Sequence, residues 1–234
     1  MKFNRNPVIL ENESPYTFEN SDIKATPSLW NCDLDAAIRY GGSLTRAVLE
    51  SLTLVGDRKY VTVDTKIHML MPGMIPAIPG WHTDGVPRQY DGTPHGGSPK
   101  IHRQEELDAE GLAPRYHLLI TGDFCSTEFM DVPWEWSANS DPRNSSFYAA
   151  MTREVNIFIP QYAEAHHKKP TWSLPGYQWV RWDWWNIHQA VRSTDFGWRF
   201  LIRVTESDFL PPQTDPREFI RVQNQVYLPS EYGW

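Results

Sequence analysis

Prolines and glycines are distributed along the whole of this chain and divide it into short apolar stretches. Among its 234 residues are 19 Pro and 14 Gly. Both residue types interrupt helices and strands, so their even spread favours many short strands and turns over long helices. Clear helical periodicity occurs only near the N-terminus. The pattern therefore predicts a mainly β domain, a double-sheet jelly roll with flanking N-terminal helices.

The predicted elements form a single domain that spans residues 1–234. An N-terminal helical region covers about 33–55, where apolar residues repeat at helical spacing. The jelly-roll core covers about 59–205, and the aromatic-rich tail, 211–234, is expected to pack on that core. The stretch 85–114 has little periodicity, and we interpret it either as a lid or binding loop or as a surface excursion. Strands are predicted at 59–71, 116–121, 128–132, 155–160, 177–185, 187–191 and 199–205, with loops at 134–147 and 161–176.

Charge and cysteine content argue against several classes of protein. The formal net charge is −7 and no long basic run occurs, so binding along a nucleic-acid backbone is disfavoured as the main activity. The two cysteines, Cys32 and Cys125, form neither a disulfide framework nor a Cys-x-x-Cys metal motif. No stretch approaches the roughly 20 apolar residues of a membrane span, and no apolar signal segment opens the sequence. We therefore expect a cytoplasmic protein without a membrane partner.

The segment 79–85, Pro-Gly-Trp-His-Thr-Asp-Gly, carries the strongest chemical signal. Side chains two apart in an extended strand point to the same face, so His82 and Asp84 offer an imidazole and a carboxylate toward one point. His188, which lies in a late apolar stretch, would complete a set of two histidines and one carboxylate. This ligand set leaves coordination positions open and is used by non-haem Fe(II) oxygenases. The competing interpretation is a solvent-facing histidine next to an Asp-Gly turn.

Two arginines occur on the apolar stretch that follows His188. Arg199 and Arg203 are four residues apart, so in a strand they share one face, opposite Phe200. An unpaired charge on a buried strand is prohibitive, so each guanidinium requires an anionic partner. That partner is either a structural carboxylate, with Glu206 and Asp195 as candidates, or the carboxylate of a bound ligand.

The ordered set His82-x-Asp84, His188 and a following strand arginine resembles the Fe(II)/2-oxoglutarate-dependent dioxygenases over about residues 60–205. The resemblance implies a double-stranded β-helix core in which His82, Asp84 and His188 bind Fe(II). It also implies that Arg199, eleven positions after His188, holds the distal carboxylate of 2-oxoglutarate, with Arg203, at fifteen positions, as the second choice. The implied reaction uses O₂ to hydroxylate an unactivated C–H bond and releases succinate and CO₂. Asp84 favours hydroxylation, since relatives that halogenate lack this carboxylate.

The substrate is left open between a small molecule, which suits the acidic charge, and a nucleobase or nucleoside. A nucleobase would be flipped into a local groove, to which Lys168, Lys169, Arg181 and Arg192 would contribute. Trp81 and Arg88, beside the His-x-Asp triplet, are the candidate substrate contacts. A non-catalytic jelly-roll binding or structural module is the alternative from another class. A different cupin-type metalloenzyme is disfavoured, because the paired His-x-His with a following Glu is absent.

Overall fold

Antiparallel sheets organise the fold, which comes from a computed structural model that describes residues 1–87, 100–137, 147–221 and 226–228. The helices in these ranges are α1 (Asn20–Ala25), α2 (Leu34–Tyr40), α3 (Gly42–Glu50), α4 (Ile101–Ala109), α5 (Phe147–His166) and α6 (Pro216–Phe219). The strands are β1 (Lys2–Phe3), β2 (Ile9–Glu13), β3 (Ser28–Leu29), β4 (Cys32–Asp33), β5 (Tyr60–Leu70), β6 (Arg115–Ile120), β7 (Thr127–Met130), β8 (Trp134–Glu135), β9 (Thr171–Ser173), β10 (Gln178–Asp183), β11 (His188–Ala190), β12 (Gly197–Ser207) and β13 (Ile220–Arg221). The prediction of a mainly β fold is confirmed, while the jelly-roll connectivity stays a prediction.

The larger sheet has the strand order β2-β10-β6-β12-β5-β4 in the described part of the chain, and its neighbouring strands are antiparallel. Its longest pairing joins β5 to β12, which stay in register over 11 residues each. Because side chains alternate along a strand, Phe200 and Ile202 of β12 point to one face, here called the outer face. Arg199 and Arg203 point to the opposite, inner face.

The smaller sheet has the order β11-β7-β9 and is also antiparallel. His82 pairs with His188, the first residue of β11, so the 79–85 segment extends this sheet at one edge. Phe129 of β7 contacts Trp182 of β10, with ring centroids 5.5 Å apart. The smaller sheet therefore packs against the inner face of the larger one, and the two histidines lie between the sheets.

Apolar side chains cover both faces of the larger sheet. The cluster between the two sheets is rich in aromatic residues, which include Phe3, Trp81, Tyr116, Phe129, Phe147, Trp182, Trp184 and Trp185. The outer face is covered by α1, α2 and α3, whose apolar side chains meet those of the sheet: Ile23, Ala37, Leu44 and Val48 with Val63, Leu119, Phe200, Ile202 and Val204. Each such side chain contributes about 1.5–3 kcal/mol on full burial, so the helical layer anchors the sheet that carries the arginines.

The structure has helix α5 where the sequence predicted a strand at 155–160. This helix also includes the last residue of the predicted loop at 134–147 and the first six residues of the one at 161–176. Val155, Ile157 and Ile159 alternate along the sequence, which imitates a half-buried strand. In the structure Ile157 is 48% exposed, whereas Phe147, Met151 and Val155, spaced by four residues, are fully buried. The prediction was wrong because the β-branched alternation masked a helical stripe that begins eight residues earlier.

His117 on β6 lies buried between two carboxylates and ties the edge strand β2 to the sheet. Its Nδ1 is 2.8 Å from Oε2 of Glu11 on β2, and its Nε2 is 3.0 Å from Oε1 of Glu206 on β12. Arg181 lies 3.1 Å from Glu11, and Arg115 lies 3.7 Å from Glu206. Burial acts to lower the pKa of His117, but the two carboxylates outweigh burial and raise that pKa above 6.5. Only the imidazolium donates from both ring nitrogens, so this arrangement favours the charged form.

The remaining predicted regions are described in part. Helix α4 lies within the 85–114 stretch, while 88–99 lies outside the described residues. In the tail, Phe219 is fully buried, β13 pairs with β3, and Tyr227 pairs with Ile75. Within the described ranges, none of the helices combines the length and the apolar character that a membrane crossing demands.

Candidate metal centre

His82, Asp84 and His188 meet at one point between the two sheets. One ligand atom from each side chain lies within 4.8 Å of the others, close enough for the three to hold a metal ion. His188 is buried, and the other two side chains are partly buried. The structure therefore brings the three predicted ligands together, although 106 positions separate His82 from His188.

The backbone fixes the two histidines as neighbours. The His82 N–H donates to the His188 carbonyl at 3.0 Å, and the His188 N–H donates to the His82 carbonyl at 3.0 Å. This reciprocal pair places the two residues directly opposite each other, and the imidazole centroids are 4.6 Å apart. The distance between the rings is thus set by main-chain hydrogen bonds and does not depend on a bound ion.

Each imidazole is held in the tautomer that a metal requires. His82 Nδ1 lies 2.9 Å from the carbonyl oxygen of Gly80, and His188 Nδ1 lies 3.2 Å from that of Asn186. A carbonyl only accepts, so Nδ1 carries a proton in both rings, and Nε2 is the nitrogen that remains to bind a metal. Burial, reinforced by the neighbouring His188, lowers the pKa of His82 to about 4, so this ring is neutral near pH 7.

Two glycines with a left-handed backbone flank residues 81–84, here called the ligand segment, which carries His82 and Asp84. Gly80 has φ +100° and Gly85 has φ +70°, conformations that residues with a Cβ rarely adopt. A Cβ on Gly85 would also lie 1.8 Å from the hydroxyl oxygen of Tyr116. The chain therefore turns sharply on both sides of the His-x-Asp triplet, and the turn after Asp84 leaves no room for a side chain.

Asp84 is kept ionised by its surroundings. Its Oδ2 lies 3.5 Å from His188 Nε2 and 3.1 Å from Nη1 of Arg203. Burial acts to raise the pKa of Asp84, but the Arg203 guanidinium and the two histidines outweigh burial and hold that pKa well below its usual range. The carboxylate is thus available as an anionic ligand at neutral pH.

The two arginines of β12 have opposite environments. Arg203 donates to Asp64 Oδ2 at 2.9 Å and also contacts Asp84, so it is neutralised by two carboxylates of the chain. Arg199 is 1% exposed, and its Nε donates to the Cys125 carbonyl at 2.8 Å. Within the described residues, its Nη1 has no hydrogen-bond partner and its guanidinium has no carboxylate. Burial lowers the pKa of Arg199, which is the expected response of an uncompensated cation.

Aromatic rings form an apolar wall beside His188. The centroids of Phe129 and Trp182 lie 5.4 and 5.5 Å from the imidazole centroid. Tyr148 of α5 approaches His82 edge-on, at 6.3 Å between centroids. Such a wall limits the access of water to the ligand atoms and lowers the local dielectric constant.

Helix α5 supports the His82–Asp84 segment, and the sequence pattern does not reveal this support because it predicts a strand at 155–160. The Tyr148 hydroxyl donates to the Thr83 carbonyl at 3.0 Å, and the Thr152 hydroxyl donates to the Trp81 carbonyl at 3.3 Å. The Trp81 indole donates to Asn156 Oδ1 at 3.1 Å. Trp81 is 1% exposed, so it packs in the core under the site, and its role as a substrate contact stays a prediction.

Arg88, the second candidate substrate contact, lies outside the described residues.

A cavity of about 440 Å³ lies away from the candidate ligands and is lined by residues 51–55 together with Glu11, Trp179 and Arg181. None of the three candidate ligands lines it.

A scan against protein-family models and a search of the curated proteins found no match for this chain.

Proposed function

We propose that this chain is an Fe(II)/2-oxoglutarate-dependent oxygenase that hydroxylates an unactivated C–H bond of a small molecule. The observation that carries the proposal is the pairing of two features in one interior. A set of two histidines and one carboxylate lies between the two sheets, and Arg199, a buried guanidinium that lacks an anion among the described residues, points to the inner face of the larger sheet. A metal site alone accounts for the first feature, while a bound dicarboxylate accounts for the second.

The donor set fits Fe(II). His82 and His188 would bind through Nε2, and Asp84 through a carboxylate oxygen. Two imidazoles and one carboxylate leave coordination positions open for a cosubstrate and O₂, which is the arrangement typical of non-haem Fe(II) oxygenases. A structural zinc site would close its coordination sphere with a fourth protein ligand, and the described residues offer only these three at this point.

Arg199 fits the distal carboxylate of 2-oxoglutarate. Its unpartnered Nη1 is buried, and a guanidinium binds a carboxylate with two parallel hydrogen bonds. Arg203, the second choice from the sequence, is already paired with Asp64 and Asp84. Of these two arginines, the one without a carboxylate in the described ranges is Arg199, eleven positions after His188, and the resemblance assigns the cosubstrate to that position.

When bound, iron and 2-oxoglutarate supply the oxidation: one oxygen atom of O₂ enters the substrate C–H bond, the other enters succinate, and CO₂ leaves. The residues of the chain position these groups. Hydrogen bonds to Gly80 and Asn186 fix the direction of each imidazole, and Arg203 fixes the carboxylate of Asp84. Phe129 and Trp182 exclude water from the side of His188.

Binding measurements test this function before a substrate is known. Mn(II) replaces iron in equilibrium dialysis, followed by calorimetric titration with 2-oxoglutarate. We expect one Mn(II) per chain, and heat from 2-oxoglutarate only when the metal is present. His188→Ala should lose both, while His102→Ala, which removes an exposed histidine of α4, should lose neither. A chain that binds neither ligand would instead be a non-catalytic jelly-roll module.

A further inference from the structure

Lys66 is a charged side chain beside the site that the proposed function leaves without a role. It lies on β5 directly opposite Leu201 of β12. It shares the inner face with Asp64, which is two positions away and pairs with Arg203. The Lys66 side chain is exposed, and its ammonium has no ion pair or hydrogen bond within the part of the chain that the structure describes.

This side of the site is partly exposed to solvent. Leu201, opposite Lys66, is only partly buried, and the Arg203 side chain is 34% exposed. Arg199, in contrast, is 1% exposed at the other end of the same face. A molecule that enters beside Lys66 would therefore meet its ammonium before it reaches the ligand atoms of Asp84 and His188.

The charges on the inner face of β5 and β12 do not cancel. Lys66, Arg199 and Arg203 contribute three positive charges and Asp64 contributes one negative charge, and Asp84, which contacts Arg203 from the 79–85 segment, contributes a second negative charge. A histidine that binds a metal is neutral, and the two positive charges of Fe(II) balance the two negative charges of 2-oxoglutarate. Among these described residues, one positive charge therefore remains when the site is loaded.

The surplus charge belongs to Lys66. Arg203 has its own carboxylates, and Arg199 receives the distal carboxylate of the cosubstrate under the proposed function. Although Lys66 is an exposed residue, the surrounding protein partly desolvates its ammonium, which lowers the pKa of Lys66, and the nearby charge of Arg203 lowers that pKa further. An anion beside the ammonium would offset both effects.

We propose that Lys66 binds an anionic group of the primary substrate, so that the substrate is a small molecule with a carboxylate, phosphate or sulfonate group. The inference rests on the proposed oxygenase function and adds a substrate class to it. A lysine ammonium is a point charge on a flexible stem, so it accepts planar and tetrahedral anions alike. A free, uncharged nucleobase is disfavoured as the substrate.

Relaxation of small anions by a paramagnetic metal tests the proposal without a known substrate. Mn(II)-loaded protein saturated with 2-oxoglutarate is titrated with methylphosphonate, followed by ³¹P resonance, or with trifluoroacetate, followed by ¹⁹F resonance. Zn(II)-loaded protein gives the diamagnetic baseline. Saturating 2-oxoglutarate prevents the probes from reaching Arg199, and the two probes distinguish tetrahedral from planar anions.

We expect Mn(II) to enhance the relaxation of at least one probe in the wild type and in Lys66→Arg. In Lys66→Met the apparent affinity for that probe should fall by about tenfold or more, because a charge-assisted hydrogen bond is lost. Lys59→Met, which removes an exposed lysine just before the other end of β5, should behave as the wild type.

Two results would overturn the inference: no enhancement of either probe in the wild type, or equal enhancement in the wild type and Lys66→Met. Failure of Mn(II) or 2-oxoglutarate to bind is a separate result. It would overturn the proposed function, and with it the substrate class.

Discussion

Replacement of Arg199 by methionine should have opposite effects on the protein with and without 2-oxoglutarate. Without the cosubstrate, Arg199 is a buried cation that makes one hydrogen bond within the described part of the chain, to the Cys125 carbonyl. Burying an ion costs several kcal/mol after relaxation. The single hydrogen bond from a charged group returns only about 1.5–3 kcal/mol. Methionine avoids the desolvation cost and fills much of the same volume, so Arg199→Met should raise the free energy of unfolding by about 1 kcal/mol.

With the cosubstrate, the sign should reverse. At a 2-oxoglutarate concentration 100 times its Kd, binding stabilises the wild type by about 2.7 kcal/mol. Loss of the guanidinium removes about 2–3 kcal/mol of charge-assisted hydrogen bonding, which is on the order of a 100-fold weaker Kd. The same 2-oxoglutarate concentration then stabilises Arg199→Met by only about 0.4 kcal/mol.

The assay is urea unfolding of the Mn(II)-loaded protein, measured with and without 2-oxoglutarate for both variants. Arg203→Met is the matched control on the same face of β12. It leaves Asp64 and Asp84 without their cation, so it should destabilise the protein in both conditions, by about 1–3 kcal/mol given that Arg203 is 34% exposed. Two results would refute the reasoning on Arg199: destabilisation of Arg199→Met without the cosubstrate by more than about 2 kcal/mol, or full stabilisation of Arg199→Met by 2-oxoglutarate.

Two further predictions concern the turn after Asp84 and the buried histidine of β6. Gly85→Ala should destabilise the protein by more than about 2 kcal/mol in thermal unfolding, because φ at this position is +70° and the added Cβ would lie 1.8 Å from the Tyr116 hydroxyl. If Gly85→Ala is as stable as the wild type, this turn relaxes freely and the reasoning is contradicted. The pKa of His117 is raised by Glu11 and Glu206, so its contribution to stability is complete below pH 6.5 and is lost as the pH rises through the folded-state pKa. Urea unfolding between pH 6 and 9 should therefore show a decline in the wild type that is absent in His117→Gln, whereas parallel profiles would contradict this assignment.

The cluster of candidate ligands was predictable from the sequence because much of its geometry follows from local rules. His82 and Asp84 are two residues apart, and alternation in an extended segment is enough to orient them alike. His188 was identified by its place in a late apolar stretch. The same alternation predicts that Arg199 and Arg203 point to one face. In the structure β12 pairs continuously with β5, and both arginines lie on the inner face.

The supports of the site were not predictable, because they depend on contacts distant in sequence or on backbone direction. The carbonyls of Gly80 and Asn186, which set the imidazole tautomers, carry no residue-type signal. The partner of Arg203 is Asp64 together with Asp84, whereas proximity in sequence had suggested Glu206 or Asp195.

Helix α5 was missed for a different reason. Its β-branched residues alternate like those of a strand, and its buried stripe begins at Phe147 in a stretch interpreted as a loop. Because the helix was not predicted, the hydrogen bond from the Tyr148 hydroxyl to the Thr83 carbonyl could not be predicted either.

An anaerobic titration with Fe(II) and then 2-oxoglutarate tests the central claim most directly. Metal-bound 2-oxoglutarate of this type gives a weak visible charge-transfer band. We predict that the band appears only when both components are present, that His102→Ala retains it, and that His188→Ala abolishes it while the far-ultraviolet circular dichroism stays unchanged. Absence of the band in the wild type, together with no binding of 2-oxoglutarate, would contradict the assignment. Persistence of the band in His188→Ala would contradict the ligand set.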